Sequence, residues 1–419
     1  MRRVAVSGIG VISPLGNCAA ELIKNARAGC SGVHRLDSEF AARLASPIAA
    51  TVQFNPASDF DPIKARMLDR FSMLALFAAN QAVQASNGAL AELDLDRAGV
   101  FVGTGMGGTH TMDAGYHTLY AEKSDRVKPF TILMGMHNAA AAWIGIEHHL
   151  RGPNMTYSTA CSSSTVAIGE AWLRVASGQL DVAIAGGAEA PLSQGSIKAW
   201  DALRTVANMD IDDPSASCRP FSKNRSGMVL GEGAAMLVIE PMDRAIARGA
   251  TIFGEILGYG QSNDAIHMTQ PSVAGQVAAM QCALRAAGID LQAVDAINAH
   301  GTGTQANDRT ETAAIRAVFG RRAEQIPISA TKAMHGHLLG AAGALECVLS
   351  LLAMQAAVSL PTMHLQQADP ECDLDYVANV ARLGVEARVM LSNSFAFGGS
   401  NAVLVLGAGP DDHTELDQA

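Results

Sequence analysis

Short apolar runs alternate with longer amphipathic stretches along most of this chain. Runs of about four to eight apolar residues between glycine, proline or polar positions are typical of buried strands. Stretches with apolar residues three and four positions apart are typical of helices. The pattern predicts strands at residues 3–9, 99–103, 182–185, 234–239, 252–259, 294–298, 326–330, 389–393 and 402–406. It predicts helices at residues 17–28, 61–86, 132–144, 166–173, 276–287, 308–319 and 340–356.

This alternation of strand and helix predicts an α/β protein. The alternation restarts after a break near residues 248–252, which indicates two similarly built halves, residues 1–250 and 251–410, although no strong internal repeat is visible. Residues 31–60 are expected to form a mixed loop, and residues 411–419 an acidic, disordered tail.

Composition narrows the class of protein. Of 419 residues, 49% are apolar and 17% charged, so large buried interfaces between halves or subunits are expected. The net charge of −10 argues against general nucleic-acid binding, and no uncharged apolar run reaches the roughly 18 residues of a membrane span. Seven scattered cysteines without a CxxC pair favour neither disulfides nor a zinc site. These features predict a soluble, cytoplasmic protein that binds no nucleic acid, membrane or metal.

The sequence TYSTACSSS at residues 156–164 places Cys161 just before a predicted helix, with Ser162 or Ser163 as the N-cap. Free N–H groups and the dipole at a helix N-terminus stabilise a thiolate, so Cys161 is a candidate nucleophile. The alternative is a small buried cysteine without a chemical role, which is the commoner case for a lone cysteine.

Two histidines lie on glycine-rich loops that each follow a predicted strand. His300 belongs to AHGTGT at residues 299–304, and His337 to KAMHGHLLGAAG at residues 332–343, at a predicted helix start. With Cys161 they would supply a nucleophile and two proton or oxyanion partners.

Neighbouring residues leave alternatives open. Lys332 is expected either to orient a histidine or to pair with Glu346, with a solvated lysine as the alternative. His335 is expected to be a surplus loop residue. The remaining histidines considered are expected to be surface or packing residues, namely His110, His117, His148 and His149.

Two glycine-rich segments carry further candidate functions. NSFAFGGSN at residues 393–401 would direct backbone N–H groups at an oxyanion and line a pocket with its phenylalanines, the alternative being a plain glycine hairpin. GTGMGG at residues 103–108 matches a dinucleotide-binding pattern. We expect no dinucleotide there, because Thr-His-Thr at 109–111 is a poor helix start and no second strand with an acidic end follows.

Together these motifs resemble the β-ketoacyl-[acyl carrier protein] synthase family, in its elongating branch. The resemblance covers nearly the whole chain, through VAVSGIGVISPLG, RGP, TACSSS, DVAIAGGAEA, RPFSKNRSGMVLGEGAA, AHGTGT, TKAMHGHLLGAAGALE and NSFAFGGSNAVLVL. It implies a thiolase-like fold, in which two related halves form a five-layered α-β-α-β-α core and two subunits share a large interface.

Motif by motif, the resemblance implies that Cys161 accepts the acyl group, that His300 and His337 are catalytic, and that Lys332 and Glu346 support them. It implies an oxyanion hole formed by backbone N–H groups of Cys161 and Phe397. The positions matched to pantetheine or substrate binding are Thr302, Thr304, Phe395, Phe397, Met106, Thr131 and Trp200. Because the carrier protein is acidic in this family's systems, basic docking residues are expected among Lys64, Arg66, Arg70, Arg126, Lys128 and Arg204.

The implied reaction is a decarboxylative Claisen condensation of an acyl group on Cys161 with malonyl-[acyl carrier protein]. It releases CO₂ and needs no cofactor beyond the carrier's phosphopantetheine. The implied partners are the carrier protein and a second subunit, expected to be an identical copy.

The sequence departs from the family in the expected acyl pocket. Thr131 follows Pro129-Phe130 where elongating members commonly have another phenylalanine, residues 139–142 are small, and Trp200 replaces a typical phenylalanine. Chain length is therefore left open. The changes also suit the catalytic subunit of a polyketide or polyene synthase, working in a heterodimer with a cysteine-free chain-length partner.

Two competing functions are disfavoured. A degradative thiolase needs a second reactive cysteine in the C-terminal glycine loop, where this chain has FAFGGSN. A non-catalytic scaffold or chain-length subunit would lack the nucleophile that Cys161 supplies.

Overall fold

A computed structural model describes residues 1–410, and the predicted acidic tail lies outside the described residues. The strands are β1 (Val4–Ile12), β2 (Val33–Arg35), β3 (Ile48–Ala50), β4 (Ala98–Gly103), β5 (Asn154–Tyr157), β6 (Val182–Glu189), β7 (Gly233–Pro241), β8 (Gly254–Asn263), β9 (Ala296–Asn298), β10 (Ile328–Ser329), β11 (Val358–Ser359), β12 (Arg382–Leu383), β13 (Val389–Phe395) and β14 (Ser400–Gly407).

Ten of these strands form one mixed sheet, in the order β10-β9-β13-β14-β8-β1-β7-β6-β4-β5. Outward from the centre, β1-β7-β6-β4-β5 and β8-β14-β13-β9-β10 each make two antiparallel pairings followed by two parallel ones. An antiparallel pairing of β1 with β8 joins the two sets. The sheet therefore consists of two five-stranded units with the same succession of pairings, one within residues 4–241 and the other within residues 254–407.

Helices form the remaining layers. They are α1 (Ala19–Arg27), α2 (Pro56–Asp59), α3 (Pro62–Ala65), α4 (Arg70–Ala85), α5 (Thr109–Tyr116), α6 (Thr131–Gly135), α7 (Ala139–Glu147), α8 (Ser163–Ala176), α9 (Gln194–Leu203), α10 (Met242–Ala247), α11 (Val273–Ala287), α12 (Gln305–Phe319), α13 (Lys332–His335) and α14 (Ala342–Gln355).

The central layer consists of α8 and α14, which pack against each other between the two five-stranded units. α14 is buried at every position from Ala342 to Met354, as its small and apolar sequence requires. α4 and α7 cover the outer face of the first unit, and α11 and α12 cover that of the second. The five-layered α-β-α-β-α arrangement is confirmed. Among the described residues, no helix combines the length and apolar character needed to cross a membrane.

Two predicted helices are interrupted. Residues 61–86 form α3 and α4, because the Asp69 carboxylate accepts a hydrogen bond from the backbone N–H of Phe71 at 3.1 Å and starts a new helix. Residues 132–144 form α6 and α7, because the backbone becomes extended at Met136.

Two other expectations about local structure are wrong. Residues 109–111 do start a helix, α5, since the second oxygen of Asp69 accepts a hydrogen bond from the backbone N–H of Thr111 at 2.7 Å. A cap supplied from forty-two positions away is invisible in the local sequence. The segment 31–60 is more ordered than a loop, because β2 and β3 form an antiparallel pair within it.

Candidate active site

Cys161 lies in a 3-10 turn, Ala160–Ser162, that leads from β5 directly into α8. Ala160 has a φ of 51°, in the left-handed region, and the Ser163 hydroxyl accepts a hydrogen bond from the backbone N–H of Thr159 at 2.9 Å. Ser162 occupies the N-cap position of α8, but its side chain makes no capping hydrogen bond. The serine-rich sequence therefore shapes the turn that presents Cys161 at the helix start.

The surroundings of Cys161 favour a neutral thiol. Burial is the main cause that raises the pKa of Cys161, to about 11, although Lys332 and the backbone N–H groups of Phe397 and of Cys161 itself act to lower it. A helix N-terminus is worth about 0.3–2 kcal/mol, which corresponds to roughly 0.2–1.5 pKa units. The helix start alone therefore does not make Cys161 a thiolate in this structure.

His300 and His337 both face Cys161. One nitrogen of each imidazole and the Cys161 sulfur all lie within 4.8 Å of one another, and all three residues are buried. The two rings meet edge to face, with centroids 5.4 Å apart. The three candidate catalytic side chains thus converge although they come from both halves of the chain.

Each histidine is held in one tautomer by a donor at Nδ1. The Lys332 ammonium lies 3.3 Å from Nδ1 of His300, and the backbone N–H of Leu339 donates to Nδ1 of His337 at 3.2 Å. Because an ammonium or amide N–H can only donate, both Nδ1 atoms are acceptors and both Nε2 atoms carry the proton. Nε2 of His337 has no hydrogen-bond partner among the described residues, so it is a free donor.

Both rings are neutral at physiological pH. Burial is the main cause that lowers the pKa of His300 and of His337 well below the usual value, and the positive charge of Lys332 lowers both further. Two buried, neutral imidazoles that line the cavity and carry their proton on Nε2 are suited to donate hydrogen bonds to a carbonyl oxygen.

Lys332 adopts both of its predicted roles at once. Its ammonium donates to the Glu346 carboxylate and, at 2.7 Å, to the backbone carbonyl of His300. Burial raises the pKa of Glu346 to about 7, against the opposing effect of Lys332. The solvated alternative for Lys332 is excluded, because its side chain is fully buried.

His335 is not a loop residue, and this expectation is wrong. It ends α13, is fully buried, and its Nε2 lies 3.0 Å from the Thr331 hydroxyl one turn earlier. Burial lowers the pKa of His335 to about 3. It packs behind the site and is absent from the cavity lining.

Two buried carboxylates organise the site, and the sequence interpretation assigned a role to neither. Glu311 accepts hydrogen bonds from the backbone N–H groups of His300 at 2.8 Å and of Gly301 at 2.9 Å, which fixes the histidine loop. Glu189, at the end of β6, accepts from the backbone N–H groups of Gly105 and Gly340. The sequence signal for Glu189 is its position as an acidic residue inside an otherwise apolar motif, GGAEA.

Glu189 also explains why the glycine-rich loop at residues 103–108 is not available to bind a dinucleotide. The backbone N–H groups of Gly105 and Met106 donate to this carboxylate at 2.6 and 3.0 Å, so they are not free for a pyrophosphate. The dinucleotide pattern is a coincidence of glycines.

A cavity of about 60 Å³ lies against Cys161, His300 and His337. Of the residues matched to pantetheine or substrate binding, Thr302, Thr304, Phe395 and Phe397 line it. Met106 and Trp200 do not line the cavity but pack against the apolar cluster that contains Cys161. Thr131 lies apart, at the start of α6 on the outside of the chain.

The candidate docking cations differ in availability. Lys64 pairs with Glu147, and Arg70 makes two hydrogen bonds to Glu232 at 2.6 and 2.7 Å. The exposed members of the set are Arg66, Arg126, Lys128 and Arg204.

Within residues 1–410, Cys161, His300 and His337 are the one group of side chains whose spacing could hold a metal ion. The Lys332 ammonium next to His300 opposes a second positive charge at that position. The chemistry of the group therefore favours hydrogen bonding to a substrate over metal binding.

Comparison with known proteins agrees with this geometry. A model of the β-ketoacyl synthase N-terminal domain matches residues 1–245, and one of the C-terminal domain matches residues 253–366. Nodulation protein E of Rhizobium sp. (strain N33) is 42% identical over 403 residues, covering 96% of this chain and 98% of the relative. 3-Oxoacyl-[acyl-carrier-protein] synthase 2 of Staphylococcus aureus (strain COL) is 40% identical over 410 residues, covering 96% and 98%.

A solved structure described as the ishigamide ketosynthase/chain length factor superposes with a TM-score of 0.91 at 33% identity, over 98% of this chain and 100% of that one. The matched domains follow each other in the same order as the two five-stranded units. The converging cysteine and histidines lie in the motifs from which the resemblance was inferred. On this evidence the chain belongs to the β-ketoacyl synthase family of condensing acyltransferases.

Proposed function

We propose that this chain joins an acyl group held on Cys161 to malonyl-[acyl carrier protein], giving 3-oxoacyl-[acyl carrier protein], CO₂ and free carrier in fatty acid elongation. The observation that carries the proposal is the convergence of Cys161 with two neutral histidines whose Nδ1 atoms are both occupied. That arrangement leaves one sulfur nucleophile and two N–H donors around a single small cavity.

In the first half-reaction, the Cys161 sulfur attacks the thioester carbonyl of an acyl-carrier. The backbone N–H groups of Cys161 and Phe397 both act to lower the pKa of this thiol, and they would stabilise the negative oxygen of the tetrahedral intermediate. The bond to the carrier sulfur then breaks. The Cys161 proton leaves with the carrier thiol, so the step ends with an acyl-cysteine and a free carrier.

In the second half-reaction, malonyl-carrier occupies the cavity and its thioester oxygen accepts hydrogen bonds from Nε2 of His300 and of His337. Loss of CO₂ leaves an enolate that these neutral donors stabilise. The enolate carbon attacks the acyl-cysteine, the carbon–sulfur bond breaks, and the departing sulfur takes up one proton from solvent. The product is two carbons longer than the acyl group that entered.

The carrier's arm would enter past Thr302 and Thr304, which line the same cavity and whose hydroxyls lie 2.9 Å apart. The reaction needs no resident cofactor, because phosphopantetheine on the carrier holds both substrates. We assign docking of the acidic carrier to the exposed cations named above. With all seven cysteines free, the reducing cytoplasm is the compartment that suits this chain.

A second subunit would cover an apolar surface beside β5, which we call the 116–155 surface. β5 is at the edge of the sheet, and exposed apolar side chains flank it, namely Tyr116, Tyr120, Phe130, Ile132, Leu133, Met136, Ile146 and Met155. An unpaired edge strand inside an exposed apolar patch of this extent is typical of a subunit interface. Thr131 lies within this surface, so its contribution to an acyl pocket would be made at the subunit interface.

The alternative function is that of the catalytic subunit of a type II polyketide or polyene synthase. It is favoured by Thr131 and Trp200 at acyl-pocket positions and by the likeness to the ishigamide ketosynthase/chain length factor. In that case the 116–155 surface would bind a cysteine-free chain-length subunit.

Mass spectrometry of Cys161 after incubation with a panel of acyl-carriers tests the proposal and reports which chains are accepted. Cys161→Ala is expected to abolish acylation and chain extension while carrier binding remains. Full activity of the Cys161→Ala variant would contradict the assignment of Cys161 as the acyl-accepting nucleophile.

Cys161→Gln separates the two half-reactions. It is expected to release CO₂ from malonyl-carrier without condensation, because the two histidines remain. Absence of CO₂ from a folded Cys161→Gln protein would contradict the role given to the histidines.

A further inference from the structure

The indole N–H of Trp200 has an unusual partner for a group close to a catalytic site. It donates to the sulfur of Met106 at 3.4 Å, and the indole ring stacks on Phe397 with centroids 6.2 Å apart. Both Trp200 and Met106 pack against the cluster that contains Cys161. A thioether sulfur is a weak acceptor, so this donor is poorly satisfied.

The space next to Cys161 is too small for a long acyl chain. The cavity has a volume of about 60 Å³, whereas a cavity of about 150 Å³ is known to accept a benzene ring. An acyl chain of more than a few carbons must therefore displace side chains of the apolar cluster. Met106 is flexible and unbranched, so it is the side chain that moves most readily.

Displacement of Met106 removes the only acceptor recorded for the Trp200 N–H among the described residues. A saturated acyl chain offers no replacement, and an unpaired donor in apolar surroundings is unfavourable. A chain with a carbonyl or hydroxyl oxygen offers a stronger acceptor than sulfur. The two kinds of chain thus differ in what they leave at the indole.

We propose that Trp200 makes this enzyme prefer acyl chains that carry a carbonyl or hydroxyl oxygen over saturated chains of the same length. The inference rests on the proposed condensation at Cys161 and, of the two pathways given for it, supports the polyketide alternative over fatty acid elongation. It names the substrate class, oxygenated acyl chains of polyketide type, for the pocket of Cys161.

The test compares the rate of Cys161 acylation by 3-oxooctanoyl-carrier and 5-oxooctanoyl-carrier with that by octanoyl-carrier, followed by intact-protein mass spectrometry. Trp200→Phe keeps an aromatic ring that can stack on Phe397 but removes the N–H. It is expected to lower the rate ratio of oxo-acyl to octanoyl acylation about fivefold, for whichever oxo-chain reacts faster with the wild type. A factor of about five corresponds to the free energy of one ordinary hydrogen bond. Met106→Leu keeps the N–H and changes only the side chain that either kind of acyl chain displaces, so it is expected to leave the preference unchanged.

Ile197→Val is the matched control, because it removes one methyl from the same cluster without touching the N–H. It is expected to leave the preference unchanged. A preference in the Trp200→Phe protein equal to that of the wild type would overturn the inference while the proposed function stands. Absence of Cys161 acylation by all three carriers in the wild-type protein would overturn the proposed function itself.

Discussion

Two groups of side chains near Cys161, which we call the histidine side and the acyl side, are held in place by different means. On the histidine side, made of His300, His337 and Lys332, each residue is at most 2% exposed and a polar partner fixes its orientation. On the acyl side, made of Met106, Trp200 and Phe397, the side chains are half-buried. They are held by ring stacking and one N–H···S contact.

The difference follows from what each side must do. Donors that stabilise an enolate act best when they are already in place, since reorganisation during the reaction would cost free energy. In the proposed function, the acyl side must instead open to receive the acyl chain, because the cavity beside Cys161 is too small for it. The acyl side is consequently the part in which this chain can depart from its relatives without losing the chemistry.

The largest effect is expected from removing the positive charge of Lys332, which organises the histidine side. Lys332→Met leaves the Glu346 carboxylate buried without its partner, and we expect a loss of about 3–5 kcal/mol in the free energy of unfolding. It also frees the His300 ring, so we expect a fall in condensation rate of roughly 10²–10³. Denaturant unfolding and a condensation assay measure the two effects.

The double variant Lys332→Met/Glu346→Gln separates stability from positioning. Removing both charges is expected to restore most of the stability, because no uncompensated charge remains, but not the rate. A single Lys332→Met variant as stable and as active as the wild type would show that the network does not position His300.

The next effect concerns the resting state of the nucleophile. Because burial raises the pKa of Cys161 to about 11, the thiolate fraction increases about tenfold per pH unit up to that value. The rate of iodoacetamide alkylation at Cys161, read on its peptide by mass spectrometry, is therefore expected to rise with pH without a plateau below about pH 10. The peptide of the exposed Cys30 serves as the internal reference. A plateau near neutral pH would instead mean that the helix start of α8 outweighs burial.

The features that could be predicted from the sequence are those that depend on short motifs. Cys161, His300 and His337 were identified because each lies in a short motif with a local meaning, a helix start or a glycine-rich loop after a strand. The alternation of strands and helices predicts the α/β class, and the five-layered arrangement is implied by the family resemblance alone. These features depend on residues close together in the chain or on many motifs in order.

The features that could not be predicted from the sequence depend on contacts between residues that are distant along the chain. Asp69 caps α5 from forty-two positions away, and Glu189 binds Gly340 across 151 positions. The pKa of Cys161 could not be predicted either, because burial by the surrounding cluster opposes the local helix signal. The repeat of strand order in the two halves left no visible repeat in the sequence, since pairing direction depends on backbone topology and not on side-chain identity.

The smallest effect is expected at Thr131, which we propose extends the acyl side across the subunit interface. This residue is half-buried at the start of α6, with Gly115 of α5 beside it and exposed apolar residues around it. Thr131→Phe is therefore expected to change the free energy of unfolding by less than about 0.5 kcal/mol, the usual range for surface positions. The length distribution of the products is nevertheless expected to shift, because we propose that Thr131 contributes to the acyl pocket at the subunit interface. The fully buried Ala140→Phe on α7 is the control, with an expected loss of about 1–3 kcal/mol from overpacking. If Thr131→Phe destabilised the protein as much as this control, the acyl side would be as tightly constrained as the histidine side, and the contrast between them would fail.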